Sequence, residues 1–142
     1  MAVTSKATAK WHGTLAEGKG SVNFDSSGIA NFPVNWKARS ESHGSNTNPE
    51  ELLGAAHATC YSMALSHKLA NSGFVAESIE TSSSVTFQPG TGITGIELKV
   101  SAVVPGLSDA DFQQYAEETK TGCPVSQALS SVPMTLEATL LG

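Results

Sequence analysis

Positive charge is scarce in this chain. Eight lysines and arginines stand against thirteen acids, giving a net charge of −5, and Arg39 is the sole arginine. Nucleic acids and anionic membrane surfaces recruit clustered basic residues, and no basic run exists, so neither is an expected partner. Charged residues of both signs make up only 15% of the sequence, which suggests that some surface is hidden in an oligomer. No stretch approaches the roughly 18 consecutive apolar residues of a membrane span. The first twenty residues lack an apolar core of the signal-peptide kind, so a cytoplasmic chain is expected. Cysteine is scarce too. Cys60 and Cys123 are the only two, and in a reducing compartment a structural disulfide between them is not expected. At 142 residues the chain suits one hydrophobic core, and residues 1–142 are expected to form a single domain.

The stretch 48–73 organises the rest. It reads as one long helix: Asn48 as N-cap, Pro49 at the first helical position, Glu51 where a capping-box carboxylate belongs, and Gly73 free to turn left-handed at the end. Leu52, Leu53, Ala55, Ala56, Ala58, Cys60, Met63, Ala64 and Leu65 leave it almost no polar face. Such a helix is buried on most sides, with Cys60 near its middle.

Around it the chain alternates. Residues 4–11 and 20–24 flank a Gly-containing connection, and Val34, Trp36 and Ala38 alternate with polar residues as a strand would, leaving Arg39 on the polar face. Residues 40–47 form a Ser-, Gly- and Asn-rich loop. Ile79 to Phe87 and Ile96 to Val104 repeat the period of two, separated by a Pro-Gly turn at 89–90. Ser108 caps a second helix with Asp111 as its box partner, and Cys123-Pro124 opens a short third one. Met134, Leu136, Ala138 and Leu140 make a final strand. The layout is α+β, with six strands. A six-stranded sheet covers one side of the central helix only, so a homodimer in which two such helices pack together is predicted.

Several side chains could carry chemistry. Cys60 and Cys123 can be read as nucleophile and resolving thiol, or as buried bystanders. Cys123 looks the more acidic because it stands at a helix start, while Cys60, roughly 16 Å of helical rise past Pro49, needs a cation from elsewhere. Arg39, always charged and able to present two parallel donors, is the best candidate. Glu50 has a plain reading as a first-turn acid that favours the helix dipole. His57 and His67 share a face with Cys60, yet their spacing matches no standard zinc pattern. His57 reads as a packed residue near the site and His67 as a helix-end residue near solvent, while His12 and His43 read as surface side chains.

The block Asn-Pro-Glu-Glu-Leu-Leu-Gly-Ala-Ala-His-Ala-Thr-Cys at 48–60, the block Gly-Cys-Pro-Val-Ser-Gln-Ala-Leu at 122–129, and the opening Ala-Lys-Trp-His-Gly at 9–13 strongly resemble the OsmC/Ohr family. The match is closest to its OsmC (osmotically inducible) branch and covers nearly the whole chain. The resemblance implies an intertwined homodimer, two antiparallel-rich sheets wrapped around a pair of long central helices, with sites at the subunit interface. It implies a thiol-dependent peroxidase of the oxidative stress response that reduces organic hydroperoxides, and hydrogen peroxide less well, without metal, haem or flavin. Carried onto matching positions, Cys60 attacks the peroxide and Cys123 resolves the sulfenic acid as a disulfide. Arg39 holds the thiolate and the peroxide oxygen, and Glu50 orients Arg39. A dithiol, lipoyl-type in relatives, is the implied reductant. Glu50 and Cys60 are about 15 Å apart along one helix, so Arg39 and Glu50 of one subunit are expected to serve Cys60 of the other. The competing reading is a dimeric redox-sensing or ligand-binding protein whose cysteines react once without turnover.

Overall fold

The computed structural model describes residues 1–142, which pack as two compact units, 1–52 and 53–142. Three antiparallel strands make up most of the first: β1 (Thr8–His12), β2 (Lys19–Asn23) and β3 (Asn31–Val34), in that order across the sheet. Trp11 lies directly opposite Gly20, and a Cβ at Gly20 would come 2.8 Å from the Trp11 ring and 2.2 Å from the Lys10 carbonyl. Glycine is therefore the residue that lets this pair close. The rings of Phe24 and Phe32 meet edge to face at 5.6 Å.

The period-two reading of 34–38 does not hold. After Val34 the chain turns into a short helix, α1 (Lys37–Ser40), and Arg39 lies on that helix rather than on a strand. The cause is local. Asn35 Oδ1 accepts the Ala38 N–H at 2.8 Å, and the Trp36 carbonyl accepts the N–H groups of Arg39 and Ser40 at 2.9 Å each. A side-chain amide that captures a backbone donor three residues on starts a helix regardless of alternation.

The central helix, α2 (Pro49–Asn71), has the predicted ends. Asn48 Oδ1 accepts the Glu51 N–H at 2.8 Å. The Glu51 carboxylate, expected to close a capping box onto Asn48, accepts the Thr47 hydroxyl instead. At the other end Gly73 (φ +89°) donates to the Ala70 carbonyl and Phe74 to that of Leu69, the paired bonds of a Schellman stop.

The second unit holds β4 (Ser78–Gln88), β5 (Gly92–Val103) and β6 (Met134–Leu140). β4 and β5 form an antiparallel hairpin, and β6 runs parallel to β5 after a crossover through α3 (Asp109–Gly122) and α4 (Pro124–Ala128). The chain thus builds two three-stranded sheets, not the single six-stranded sheet expected. Alternation identifies strands but not their partners. Ser108 caps α3 by accepting the Asp111 N–H at 3.2 Å, and Phe112 and Ala116 are buried on its inner face.

Within this unit α2 lies against the sheet. A Cβ at Gly54 would stand 3.0 Å from the Ser83 carbonyl, and Ser62 donates to Thr81 across 2.7 Å. Tyr61, Leu65 and Leu69 pack with Ile96, Leu98, Val100, Ala102, Val104 and Phe112 in one core. Burial of each such large apolar side chain contributes about 1.5–3 kcal/mol. Tyr61 is pinned further by donating its hydroxyl to the Ala116 carbonyl of α3 at 2.8 Å. The opposite stripe of α2, formed by Ala55, Ala56, Thr59, Met63 and Ala70, is exposed, Met63 at 69%. No helix is long and apolar enough to cross a membrane.

Candidate active site

Two clusters contain the residues singled out by the sequence. In the second unit α2 presents Cys60, half-buried, to the junction of α3 and α4, where Cys123 is completely buried. Both are free thiols, and their sulfurs are 3.1 Å apart. The Cys123 N–H closes the end of α3 onto the Thr119 carbonyl at 3.0 Å, and its own carbonyl accepts the Gln127 N–H at 3.0 Å. Backbone bonds on both sides thereby tie down the main chain that carries this thiol.

Electrostatics at the pair differ from the local sequence rule. That rule gives the helix start to Cys123. In the structure Pro124 lacks an N–H, and the next donor, the backbone N–H of Val125, favours the thiolate of Cys60. Burial nevertheless pushes the Cys60 thiol up, and the adjoining Cys123 adds to that. Burial also raises the Tyr61 phenol, with Glu117 and Cys123 adding to the effect. Every lysine of this unit is already paired with carboxylate: Lys68 with Glu118 at 2.6 Å, Lys99 with Glu97 at 3.4 Å, and Lys120 with Glu117 at 2.8 Å.

One turn before Cys60, His57 is fully buried and its Nε2 lies 2.7 Å from Ser126 Oγ, one turn past Cys123. Its Nδ1 has no partner, and burial lowers the basicity of the ring, so His57 is neutral at neutral pH. Its reading as a packed residue beside the site holds. Ser126 was missed, although its position three residues beyond Cys123 in a helix was a usable signal. His67 faces out and contacts Asn71 at 3.1 Å. No three His, Cys, Asp or Glu side chains gather as metal ligands.

The second cluster is in the first unit. Arg39 Nε donates to both oxygens of Glu50, at 2.9 and 3.3 Å. Glu50 is 5% exposed and Arg39 31%, so the carboxylate is sheltered while the arginine side chain is partly open. Asn48 ties this pair together. Its Oδ1 is taken by the Glu51 N–H, so its Nδ2 donates to the Ala38 carbonyl at 2.8 Å and to His43 Nε2 at 2.8 Å. That orientation assigns the His43 proton to Nδ1. The carbonyl beside Arg39 is thereby hydrogen-bonded to the residue that caps the helix carrying Glu50. His43 is exposed as expected, yet hydrogen-bonded, which composition could not foresee.

A family model described as OsmC-like protein matches residues 42–137, so the chain belongs to the OsmC-like family. Among its relatives, Peroxiredoxin OsmC of Escherichia coli (strain K12) is 41% identical over 134 residues, 92% of this chain and 93% of that one. The organic hydroperoxide resistance protein of Xanthomonas axonopodis pv. citri (strain 306) is 33% identical over 60% of this chain and 61% of its own. Among solved structures, the organic hydroperoxide resistance protein OhrB of Bacillus subtilis superposes with a TM-score of 0.70 at 25% identity, covering 96% of this chain and 98% of that one. The OsmC-like protein of Mycoplasma pneumoniae shares the fold with a TM-score of 0.75 over 100% of both chains at 15% identity.

Proposed function

We propose that this chain is a thiol-dependent peroxidase that reduces organic hydroperoxides, and hydrogen peroxide less readily, through Cys60 and Cys123. The names of its relatives support a peroxiredoxin-like enzyme. One observation carries the mechanism: two free thiols, far apart in sequence, with sulfurs 3.1 Å apart, one half-buried and the other fully buried. The more accessible sulfur meets the peroxide, and the sheltered one waits for the product.

The Cys60 thiolate attacks the distal peroxide oxygen. An S–O bond forms, the O–O bond breaks, and the alkoxide leaves as alcohol after taking a proton. Cys60 is then a sulfenic acid, oxidised by two electrons. Cys123 attacks that sulfur, the S–S bond forms, and the hydroxyl departs as water with the thiol proton. A dithiol of the lipoyl type restores both thiols by exchange. Arg39 stabilises the Cys60 thiolate and the departing oxygen, and Glu50 holds the guanidinium in place. Support for Arg39 as this cation is that each lysine of residues 53–142 is already engaged by a carboxylate, while burial opposes ionisation of Cys60.

The working form is a homodimer of single OsmC-like domains, residues 1–142 acting as one. The uncovered stripe of α2 around Met63 favours a second copy as its cover. Ten residues of helix separate Glu50 from Cys60, about 15 Å of rise, which favours Arg39 and Glu50 of one subunit serving Cys60 of the partner subunit. Mapping the disulfide after one equivalent of cumene hydroperoxide tests the chemistry. A Cys60–Cys123 bond within one chain is expected. Recovery of two unmodified thiols after peroxide is consumed would exclude it.

A further inference from the structure

The mechanism above leaves one buried polar pair unused. His57 and Ser126 are 0% and 3% exposed and 2.7 Å apart, joining α2 to α4. Their placement repeats that of the cysteines. His57 is three residues before Cys60 on α2, and Ser126 three residues after Cys123 on α4, so the two contacts are rungs one helical turn apart between the same two elements. They are the only polar contacts between the side chains of α2 and α4.

We infer that the His57–Ser126 hydrogen bond is a positioning device for the resolving step, holding α4 so that Cys123 stays within reach of Cys60 once Cys60 carries oxygen. The inference rests on the peroxidase reading. Disulfide formation is an in-line displacement at the Cys60 sulfur, with Cys123 entering opposite the departing oxygen. Cys123 must therefore stay on the side of Cys60 away from that oxygen, near its present 3.1 Å, until the S–S bond forms. α4 is only five residues long, and Cys123 stands at its N-cap. So short a helix has little rigidity of its own. The rung one turn away limits how far it drifts, which keeps the effective concentration of the resolving thiol high.

The tautomer follows from burial. A neutral imidazole with one partnered nitrogen leaves either a bare lone pair or an N–H without acceptor at Nδ1, and an orphaned buried N–H is the rarer case. His57 therefore donates from Nε2 to Ser126. Glutamine, whose amide nitrogen reaches about as far as Nε2, is the replacement that preserves the donor, and leucine the one that removes it.

The test separates the two chemical steps. Reduced full-length protein, wild type and variants, is mixed with cumene hydroperoxide and quenched at intervals, and thiol, sulfenic, disulfide and sulfinic forms of Cys60 are counted by mass spectrometry. For Ser126→Ala and His57→Leu, loss of the Cys60 thiol should proceed at the wild-type rate. Disulfide formation should slow about tenfold, the value of one hydrogen bond near 1.4 kcal/mol. Sulfinic acid should accumulate correspondingly at high peroxide. His57→Gln should restore most of the disulfide rate, and the double variant should be no slower than either single one. Ser126→Thr and Ser126→Val, equal in volume, supply the comparison if Ser126→Ala fails to fold, the threonine resolving faster. Disulfide formation at the wild-type rate in folded Ser126→Ala would overturn the inference. A wild-type protein that forms no Cys60–Cys123 disulfide would overturn the peroxidase reading instead.

Discussion

The Val125 N–H, at the start of α4, favours the thiolate of Cys60 on α2, while the same short helix carries Cys123 at its cap. One helix start thus serves both cysteines in different ways, through a backbone donor for one and through placement for the other. Against that donor stand burial and the second thiol, and together they push Cys60 above the ordinary range of a cysteine.

Removing Cys123 should therefore split catalysis. In Cys123→Ala the burial of Cys60 remains while the neighbouring thiol's contribution disappears, so the Cys60 pKa falls. The single-turnover reaction with peroxide should persist and its pH midpoint should move down, while multiple turnover is lost. Stopped-flow rates across pH 6–10 read both effects, and an upward or unmoved midpoint would contradict this account of Cys60.

Arg39 should matter for more than its charge. Lowering a thiol pKa from about 8.5 to about 5.5 raises the thiolate fraction at neutral pH roughly 30-fold. A Brønsted slope of about 0.4–0.5 takes back roughly 15- to 30-fold in nucleophilicity. The acceleration must then come from stabilising the leaving oxygen and orienting the peroxide. Arg39→Lys is expected to lose at least about tenfold in kcat/KM, since an ammonium lacks the guanidinium fork. Near-full activity would refute that role.

Asn48 holds Arg39 from behind, through the Ala38 carbonyl, as well as capping α2. Serine caps a helix nearly as well as asparagine but has no amide to reach Ala38 or His43. Asn48→Ser should cost less than about 1 kcal/mol of stability. It should cost roughly five- to tenfold in kcat/KM through loss of positioning. Denaturant unfolding and steady-state kinetics measured together distinguish the two effects.

His57 predicts an acid limit to stability. Its basicity is lowered in the fold below the ordinary value of 6.5, so the unfolded chain takes up a proton that the folded one resists. The contribution is complete above pH 6.5 and is lost as pH falls through the folded value. His57→Gln should flatten the difference in urea midpoint between pH 7.5 and pH 5. An unchanged difference would place the acid sensitivity elsewhere.

Much of this was legible because it is local. Asn48 and Gly73 mark the ends of α2 by hydrogen bonds within a few residues, and Ser108 does the same for α3. The alternation at 34–38 misled because a single contact, Asn35 to Ala38, outweighs a periodicity that records only which faces are apolar. The division into two sheets depends on which strands pair, and β6 joins β5 across a crossover of 30 residues between Val103 and Met134. The residues left Cys60 and Cys123 open between a redox pair and buried bystanders, and the family resemblance favoured the pair. Spacing could have placed Ser126 one turn from Cys123, but not its contact with His57, 69 residues away.

The assignment of Arg39 across the interface has its own test. Mixing Cys60→Ser subunits with Arg39→Ala subunits after unfolding and refolding should recover about a quarter of wild-type activity, one intact site in each mixed dimer. Both parent homodimers should be inactive. Absence of recovery would put Arg39 and Cys60 of one working site in the same chain.

The most direct measurement is consumption of cumene hydroperoxide by the reduced protein with excess dithiothreitol, beside a Cys60→Ser variant. The account predicts many turnovers per chain, abolished by the substitution. One equivalent consumed and then silence, or equal rates in the two proteins, would contradict it.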